Sequence, residues 1–317
     1  MPAPLVSIVL PTFGRLPYLR LTIDSVYRQT CSQWELIISD DGSDAETREY
    51  LRSLASDPRV KLVWLSHTGI PSAVRNAALA EAQAQYVAFL DSDDLWAPQK
   101  LERQLQRLRA RPDCRWSYTG FTQIDAAGQP LVNAAHGTWQ PLEGSIFDAL
   151  VLGPSLPIRT PAVMAARELV ERVGRFDESI RSGEDYDLWL RLALESEVAV
   201  LDEPLVQVRR HELNHSQDWE IAYIGRDYSL AKLQPSVDAR RRSLLRVERT
   251  RNAVRLATIH ASLGNHVAMA RAMWRSGPYS WTDPHWWCGL LKVPLRPHVP
   301  QLIVDAYRRR RQRASAS

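Results

Sequence analysis

Three aspartates stand together beyond the end of one apolar segment. Residues 86–90 have the composition of a buried strand, and Asp91, Asp93 and Asp94 follow in the loop after it. Side chains two positions apart on an extended chain point the same way, so Asp91 and Asp93 can face one cation. Carboxylate oxygens with room for water and phosphate suit Mg²⁺ or Mn²⁺ better than zinc. The structural alternative is a loop before a helix, where aspartate is common and Pro98 fits the first turn.

Two further polar loops are expected at the same edge of a sheet as this one. Strand and helix patterns alternate four times in the first ninety residues, which predicts a mostly parallel sheet with helices on both faces. The first strand runs out at Pro11 and Thr12, and the second at Asp40 and Asp41. Ligands of such sheets bind beyond the carboxyl ends of the strands, so these loops predict one acidic crevice.

No glycine-rich phosphate loop accompanies this crevice. The sequence contains neither G-x-G-x-x-G after the first strand nor a Walker-type loop. A nucleotide diphosphate held through a metal therefore fits the acidic loops better than a dinucleotide held on backbone amides.

Two more sets of polar residues are candidates for chemistry. Glu184 and Asp185 open a predicted helix, where acidic residues also serve the helix dipole, and the functional alternative is a general base. His211 lies in a polar loop after a predicted strand, either as an ordinary loop histidine or as a contact to a metal or a diphosphate.

Composition excludes several classes of protein. The chain of 317 residues has no run of eighteen apolar residues, and its first residues lack the shape of a signal peptide, so a cytoplasmic location is expected. The 3 cysteines are scattered and predict no disulfide framework. The arginines at positions 308–311 and 313 outweigh the formal net charge of +4, so the basic character belongs to a tail, which argues against a nucleic-acid-binding face.

The patterns become less regular in the second half of the chain. Residues 129–160 predict a loop-rich insert lining the crevice, residues 161–173 a helix, and residues 198–201 and 205–208 two short strands. Two helices are predicted from about residue 238 to residue 274, with a turn at 263–265. The tryptophans at 281, 286 and 287 and the basic tail fit either a peripheral anchor on the cytoplasmic membrane face or packed helices with a frayed end.

Six segments in order resemble the family 2 (GT2) inverting glycosyltransferases. Their positions are 6–15 (VSIVLPTFGR), 40–43 (DDGS), 69–76 (GIPSAVRN), 89–94 (FLDSDD), 173–178 (VGRFDE) and 183–190 (GEDYDLWL). The resemblance covers residues 4–216 and implies a GT-A (Rossmann-like) fold, a nucleotide-sugar donor, with a UDP-sugar favoured, and Mn²⁺ or Mg²⁺. We expect residues 1–216 to form the catalytic domain and residues 217–317 to form a C-terminal helical appendage.

The resemblance also implies donor contacts. Pro11, Thr12 and Phe13 would line the pocket for the base, Asp41 would bind the base, and Arg75 would contact the nucleotide. Gly14 departs from the family, in which many members carry asparagine at this position, so the role of Phe13 is left open.

The same resemblance implies the catalytic residues. Asp91 would meet ribose or metal, Asp93 would be the principal metal ligand, and His211 would approach the metal or the diphosphate. Asp185 would be the base. Independently of the resemblance, we expect burial and the neighbouring Glu184 to raise the pKa of Asp185.

The function predicted from these residues is sugar transfer with inversion to a glycan or lipid-linked acceptor in cell-surface polysaccharide synthesis. Two alternatives remain at this point. A sugar nucleotidyltransferase needs a glycine- and lysine-rich loop after the first strand, which residues 11–15 match poorly. A nucleotide-sugar-binding scaffold at the membrane needs neither Asp185 nor metal turnover.

Overall fold

The computed structural model describes residues 3–131, 141–153, 158–211, 219–275 and 287. The chain divides into two compact units, Met1–Leu213 and Asn214–Ser317. Within the described part, no helix is both long enough and apolar enough to cross a membrane. Most of the expected anchor and tail, from Trp281 to Arg313, lies outside the described residues, apart from the half-exposed Trp287.

The first unit alternates strands and helices through its first ninety residues, as the sequence predicts. Its elements are β1 (Val6–Thr12), α1 (Leu16–Tyr27), β2 (Trp34–Asp40), α2 (Ala45–Leu54), β3 (Val60–Trp64), α3 (Pro71–Ala80), β4 (Tyr86–Phe89), β5 (Leu95–Trp96), α4 (Lys100–Ala110), β6 (Cys114–Ile124), α5 (Phe147–Leu152), β7 (Val163–Ala166), α6 (Arg167–Arg172), α7 (Glu184–Glu195) and β8 (Glu197–Arg209).

These strands form one eight-stranded, mostly parallel sheet in the order β3-β2-β1-β4-β7-β6-β8-β5. The pairs β1/β2, β1/β4, β2/β3 and β6/β8 are parallel, whereas β7 runs antiparallel to both of its neighbours and β5 antiparallel to β8. The middle of β1 and of β2 is fully buried, because helices cover both faces of this part of the sheet.

Helix α7 is fixed by aromatic packing at its centre. The Trp189 ring stacks on Trp116 of β6 with centroids 6.1 Å apart and tilts against Phe89 of β4 at 6.0 Å. The guanidinium of Arg191 donates hydrogen bonds to Asp187 at 2.8 Å and to the Val173 carbonyl at 2.6 Å. These contacts hold the beginning of α7, which carries Glu184 and Asp185, at the edge of the sheet.

The structure corrects several boundaries. Residues 161–166, predicted as helix, form a short 3-10 turn and strand β7, because their small and β-branched side chains suit a fully buried strand between β4 and β6. The two strands predicted for residues 198–201 and 205–208 are one strand, β8. Helix α2 is capped by Asp44, whose carboxylate accepts a hydrogen bond from the Thr47 amide at 2.8 Å.

The second unit is helical within its described residues. It contains α8 (Trp219–Leu233), α9 (Ala239–Ser262) and α10 (His266–Arg275), and the last two match the helices predicted from the sequence. The arginines of α9 have internal partners: Glu248, fully buried on that helix, pairs with Arg255 at 2.7 Å and with Arg226 of α8 at 3.4 Å. This charge cluster therefore serves to join helices within the unit.

Candidate active site

The three polar loops predicted to meet lie side by side at one edge of the sheet. Strands β2, β1 and β4 are consecutive and parallel, so their carboxyl ends fall on the same side. The Asp41 amide donates to the Thr12 carbonyl at 2.9 Å, and the Leu90 amide donates to the Val9 carbonyl at 3.0 Å. The residues after each strand therefore border one crevice.

Asp41 organises the loop that follows β3. Its buried carboxylate accepts hydrogen bonds from the Thr68 amide at 2.7 Å, the Thr68 hydroxyl at 2.9 Å and the Gly69 amide at 3.0 Å. The ring of His67 stacks on Phe13 with centroids 4.2 Å apart, and Phe13 remains half exposed. An aromatic face and a fixed carboxylate thus lie together at this end of the crevice.

The loop between β1 and α1 has an unusual backbone. Gly14 and Arg15 both have positive φ, 62° and 56°, and the Gly14 amide donates to the Ser43 hydroxyl at 2.7 Å. An asparagine tolerates this backbone region better than most residues, so glycine here keeps the loop conformation. Pro11 is partly exposed on β1, and the buried hydroxyl of Thr12 lacks a hydrogen-bond partner within the described part of the chain.

Arg75 of α3 joins two carboxylates that are far apart in the sequence. One terminal nitrogen of its buried guanidinium donates to Asp91 at 2.7 Å and the other to Glu184 at 2.7 Å. Burial opposes its charge, but the charges of Asp91 and Glu184 prevail and raise the pKa of Arg75 above its ordinary value. Arg75 therefore connects the end of β4 to the beginning of α7.

Asp93 has different partners from Asp91. Its Oδ2 atom lies 2.9 Å from an Nη atom of Arg15 and 2.8 Å from Nε2 of His211, whose ring stacks on Tyr18. Residues 91–94 form a turn, closed by a 3.2 Å hydrogen bond from the Asp94 amide to the Asp91 carbonyl, so the argument from an extended chain does not hold here. The two side chains consequently diverge.

Asp94 serves the structure of this turn. Its carboxylate accepts a hydrogen bond from the Arg209 amide at 2.8 Å, and its carbonyl accepts one from the Thr22 hydroxyl at 2.9 Å. Burial, with the nearby charges of Asp93 and Asp91, raises the pKa of Asp94 well above its usual range. Asp94 therefore ties the turn to the end of β8 and to α1.

The donor atoms of Asp93 and His211 fit a divalent cation, since a carboxylate oxygen and an imidazole nitrogen are common ligands of Mn²⁺. Asp91 is not close enough to join them as a preformed trio. In the described part of the chain, three ligand atoms lie within 4.8 Å of one another only at Asp113, Cys114 and Glu197, two of which are exposed. Both carboxylates of that other set are ion-paired with Arg111.

Asp185 stands at the first turn of α7, beside Glu184. Its carboxylate accepts hydrogen bonds from the Tyr186 amide at 2.7 Å and from the Thr160 hydroxyl at 3.3 Å. Burial and the charge of Glu184 raise the pKa of Asp185 to about 6, against the opposing effect of the Tyr186 amide. A carboxylate with this pKa can accept a proton near neutral pH.

Three side chains at the crevice were not singled out from the sequence. Arg15 contacts Asp93, Thr160 contacts Asp185, and Arg159 lies near enough to Asp185 to affect its pKa. Arg15 follows the end of β1, and this position in the sequence could have identified it as a residue of the crevice. Nothing in the pattern of residues 129–160 distinguishes Arg159, because no regular element is recognisable there.

The sheet is twisted and mostly parallel, with an acidic crevice at its carboxyl edge and the Asp185 carboxylate beside that crevice. These features define a GT-A glycosyltransferase. The chain belongs to glycosyl transferase family 2, whose family model matches residues 7–172. The resemblance and the fold predicted from the sequence are both confirmed.

Several glycosyltransferases are similar to this chain in sequence. An uncharacterized glycosyltransferase of Rickettsia felis is 32% identical over 204 residues, which is 64% of this chain and 33% of the relative. The putative teichuronic acid biosynthesis glycosyltransferase TuaG of Bacillus subtilis is 35% identical over 190 residues, covering 60% of this chain and 72% of the relative. The Escherichia coli WfgD protein, named a UDP-Glc:alpha-D-GlcNAc-diphosphoundecaprenol beta-1,3-glucosyltransferase, is 38% identical over 104 residues, covering 33% of this chain and 41% of that protein. The chain spans about a third of the length of the Rickettsia relative.

Solved structures agree on the fold. The Staphylococcus aureus protein TarS (residues 1–349, with UDP-GlcNAc) superposes with a TM-score of 0.59 at 17% identity, covering 90% of this chain and 92% of that one. The Pyrobaculum calidifontis mannosyltransferase PcManGT, solved with GDP-Man and Mn²⁺, gives a TM-score of 0.58 at 17% identity, covering 96% and 86%.

Proposed function

We propose that this chain transfers a sugar from a nucleotide-diphosphate donor to an acceptor hydroxyl by a single displacement that inverts the anomeric carbon. The observation that carries the proposal is Asp185, with its pKa raised to about 6, linked through the neighbouring Glu184 and Arg75 to the loop of Asp91 and Asp93. A proton acceptor and the acidic loop thus belong to one connected set of side chains.

The donor occupies the crevice between the β1, β2 and β4 loops in this proposal. Phe13, with His67 stacked on it, offers an aromatic face to the base, and Pro11 and Thr12 form the wall beside it. Asp41 stabilises the loop beside the base pocket, since its carboxylate already accepts hydrogen bonds from the amides of residues 68 and 69. Arg75 and Asp91 lie towards the sugar and phosphates.

Catalysis in this proposal belongs to Asp185. Its carboxylate removes the proton of the acceptor hydroxyl while the oxygen attacks the anomeric carbon and the bond to the diphosphate breaks. The charge of Glu184 keeps the pKa of Asp185 high. Glu184 also orients Arg75 by accepting a hydrogen bond from its guanidinium. Thr160 steadies the carboxylate by its hydrogen bond.

Asp93 and His211 are the proposed ligands of Mn²⁺ or Mg²⁺, with Asp91 on the same turn. A cation held by these residues would supply Lewis-acid stabilisation of the charge on the departing diphosphate. Arg15, which also contacts Asp93, contributes positive charge at the same place.

The proposed acceptor is a glycan or lipid-linked saccharide of cell-surface polysaccharide synthesis, at the cytoplasmic face of the membrane. The names of the TuaG and WfgD relatives support this class of acceptor. We also propose that residues 1–216 form the catalytic domain and that residues 217–317 form an appendage, and the division of the chain after Leu213 supports that boundary.

The first experiment is a thermal-stability panel. The purified chain is heated with UDP, GDP, dTDP or CMP, each with and without Mn²⁺, because a ligand of the folded state raises the midpoint by mass action. We expect one diphosphate to raise the midpoint in a Mn²⁺-dependent way, with UDP favoured. Absence of any shift would favour the non-catalytic scaffold instead.

A further inference from the structure

Among the described residues, Arg159 has no ion-pair partner, although its charge acts on the nearby Asp185. Its side chain is partly buried, with the guanidinium carbon 5.3 Å from the centre of the Phe121 ring. The Nε atom is buried, and within the described part of the chain no residue accepts a hydrogen bond from this side chain. Burying a charged donor without an acceptor is costly, so an arginine in this state favours binding of an anion.

The surroundings strengthen this reading. Burial and the positive charge of Arg210 lower the pKa of Arg159, while the charges of Asp185 and Asp94 oppose that effect. A guanidinium stays protonated at neutral pH, so two positive side chains lie near each other here. Arg210 donates a hydrogen bond to Gln123 at 3.2 Å, which fixes it on the same side.

The position of Arg159 differs from that of the proposed donor pocket. Arg159 immediately precedes Thr160, which contacts Asp185, and Phe121 belongs to β6. In the sheet, β7 separates β6 from β4. Thr12 ends β1, whereas Asp41 and Asp91 follow β2 and β4. Arg159 thus lies on the β6 side of Asp185, and not beside the β1 and β2 loops that form the proposed base pocket.

We propose that Arg159, assisted by Arg210, binds a phosphate group of the acceptor and so selects acceptors whose sugar is carried on a phosphate or diphosphate. The inference rests on the proposed function, because it assigns the acceptor side of the same site. The planar guanidinium can form two parallel hydrogen bonds to phosphate oxygens. The other source of the same chemistry is the diphosphate of the donor, and the experiment separates the two.

The test measures binding of a short alkyl diphosphate, by calorimetry, to protein saturated with the nucleoside diphosphate that stabilises it. Wild type is compared with Arg159→Gln and Arg159→Lys, and Arg109→Gln on the exposed face of α4 is the matched control. The corresponding alkyl alcohol measures how tightly the alkyl group binds without the charged diphosphate. Unliganded thermal midpoints show that each variant folds.

We expect wild type to bind the alkyl diphosphate with the nucleotide in place, and Arg159→Gln to weaken that binding about 10-fold to about 100-fold. Nucleotide affinity and the control should be unchanged. Equal binding by Arg159→Gln, or no binding by wild type, would overturn the proposal. Weakened nucleotide binding with no effect on the alkyl diphosphate would assign Arg159 to the donor.

The two proposals fail separately. If no nucleotide stabilises the chain, the alkyl diphosphate is tested alone, and binding that depends on Arg159 would keep the anion site while the transferase proposal falls. If a nucleotide binds and Arg159→Gln changes nothing, the transferase proposal stands and the acceptor assignment is wrong.

Discussion

The Nε2 atom of His211 lies 2.8 Å from the Oδ2 atom of Asp93, which joins the loop after β8 to the turn after β4. If this pair holds the cation, both side chains should be needed for metal-dependent nucleotide binding. We expect Asp93→Ala to remove the Mn²⁺-dependent part of the thermal shift. His211→Ala should weaken metal affinity by at least about 10-fold, since even the loss of a residue that only supports a ligand costs that much.

Asp113→Ala is the control for this pair, because Asp113 belongs to the other set of possible ligands among the described residues. It should leave the Mn²⁺-dependent shift unchanged. A shift that survives in Asp93→Ala and disappears in Asp113→Ala would move the metal to that other set.

Replacing the proposed base should separate binding from transfer. We expect Asp185→Asn to bind the nucleotide with wild-type affinity and to lose about 10²-fold to about 10⁴-fold in turnover, the usual contribution of a positioned base. Radiolabelled sugar transfer measures the rate, and the anomeric configuration of the wild-type product is read by NMR. Transfer by Asp185→Asn at the wild-type rate would assign the base elsewhere, and retained configuration would exclude a single displacement.

The raised pKa of Asp185 predicts how activity depends on pH. Because the base must be ionised, the rate should rise with pH around a midpoint of about 6. Glu184→Gln removes the neighbouring negative charge, so the midpoint should move to lower pH. The measurement is the pH profile of kcat/KM for both proteins. An unchanged midpoint in Glu184→Gln would show that Glu184 does not set the pKa.

The stability of the fold should fall as the pH rises through the pKa of Asp185, whereas activity should rise. Its pKa in the folded state is about 6, above the ordinary 3.8, so its stabilising contribution is present at about pH 4 and is lost as the pH rises through 6. Asp185→Asn should therefore stabilise the fold by about 1–3 kcal/mol more at pH 8 than at pH 4. Urea unfolding at the two pH values measures this difference, and an equal effect at both would contradict it.

Arg75 should matter for stability as well as for binding, because it is buried between Asp91 and Glu184. Arg75→Lys cannot contact both carboxylates through a planar fork, and breaking a buried ion pair costs about 3–5 kcal/mol. Urea unfolding measures the loss. Arg109→Lys on the exposed face of α4 is the matched control and should change stability by less than about 0.5 kcal/mol.

The alternation of strands and helices was sufficient to predict that the loops after β1, β2 and β4 meet. Each of these strands is a short apolar run ending in polar residues, and parallel pairing brings their carboxyl ends together. Strand β7 escaped prediction because residues 163–166 are apolar on both faces and carry no alternating pattern. Periodicity cannot distinguish such a segment from a buried helix.

Side-chain partners were less accessible to sequence reasoning. The pairing of Asp91 with Arg75 depends on the turn at residues 91–94, and that turn reverses the directions expected of an extended chain. The position of the Arg159 side chain depends on packing against Phe121, which lies 38 positions earlier in the sequence, and no local pattern indicates it. Motif order identified where the crevice lies, whereas the geometry within it required tertiary contacts.

The antiparallel direction of β7 has a consequence for how acceptor choice can change. Since β6 runs out of the sheet and β7 returns into it at the same edge, the chain between Ile124 and Val163 begins and ends beside the crevice. Within it Phe147, Leu150 and Val151 are buried, so that part of the segment belongs to the core. Arg159 and Thr160 stand just before β7, where their side chains can change the acceptor end of the crevice while the strands that precede Asp41, Asp91 and Asp93 keep their register.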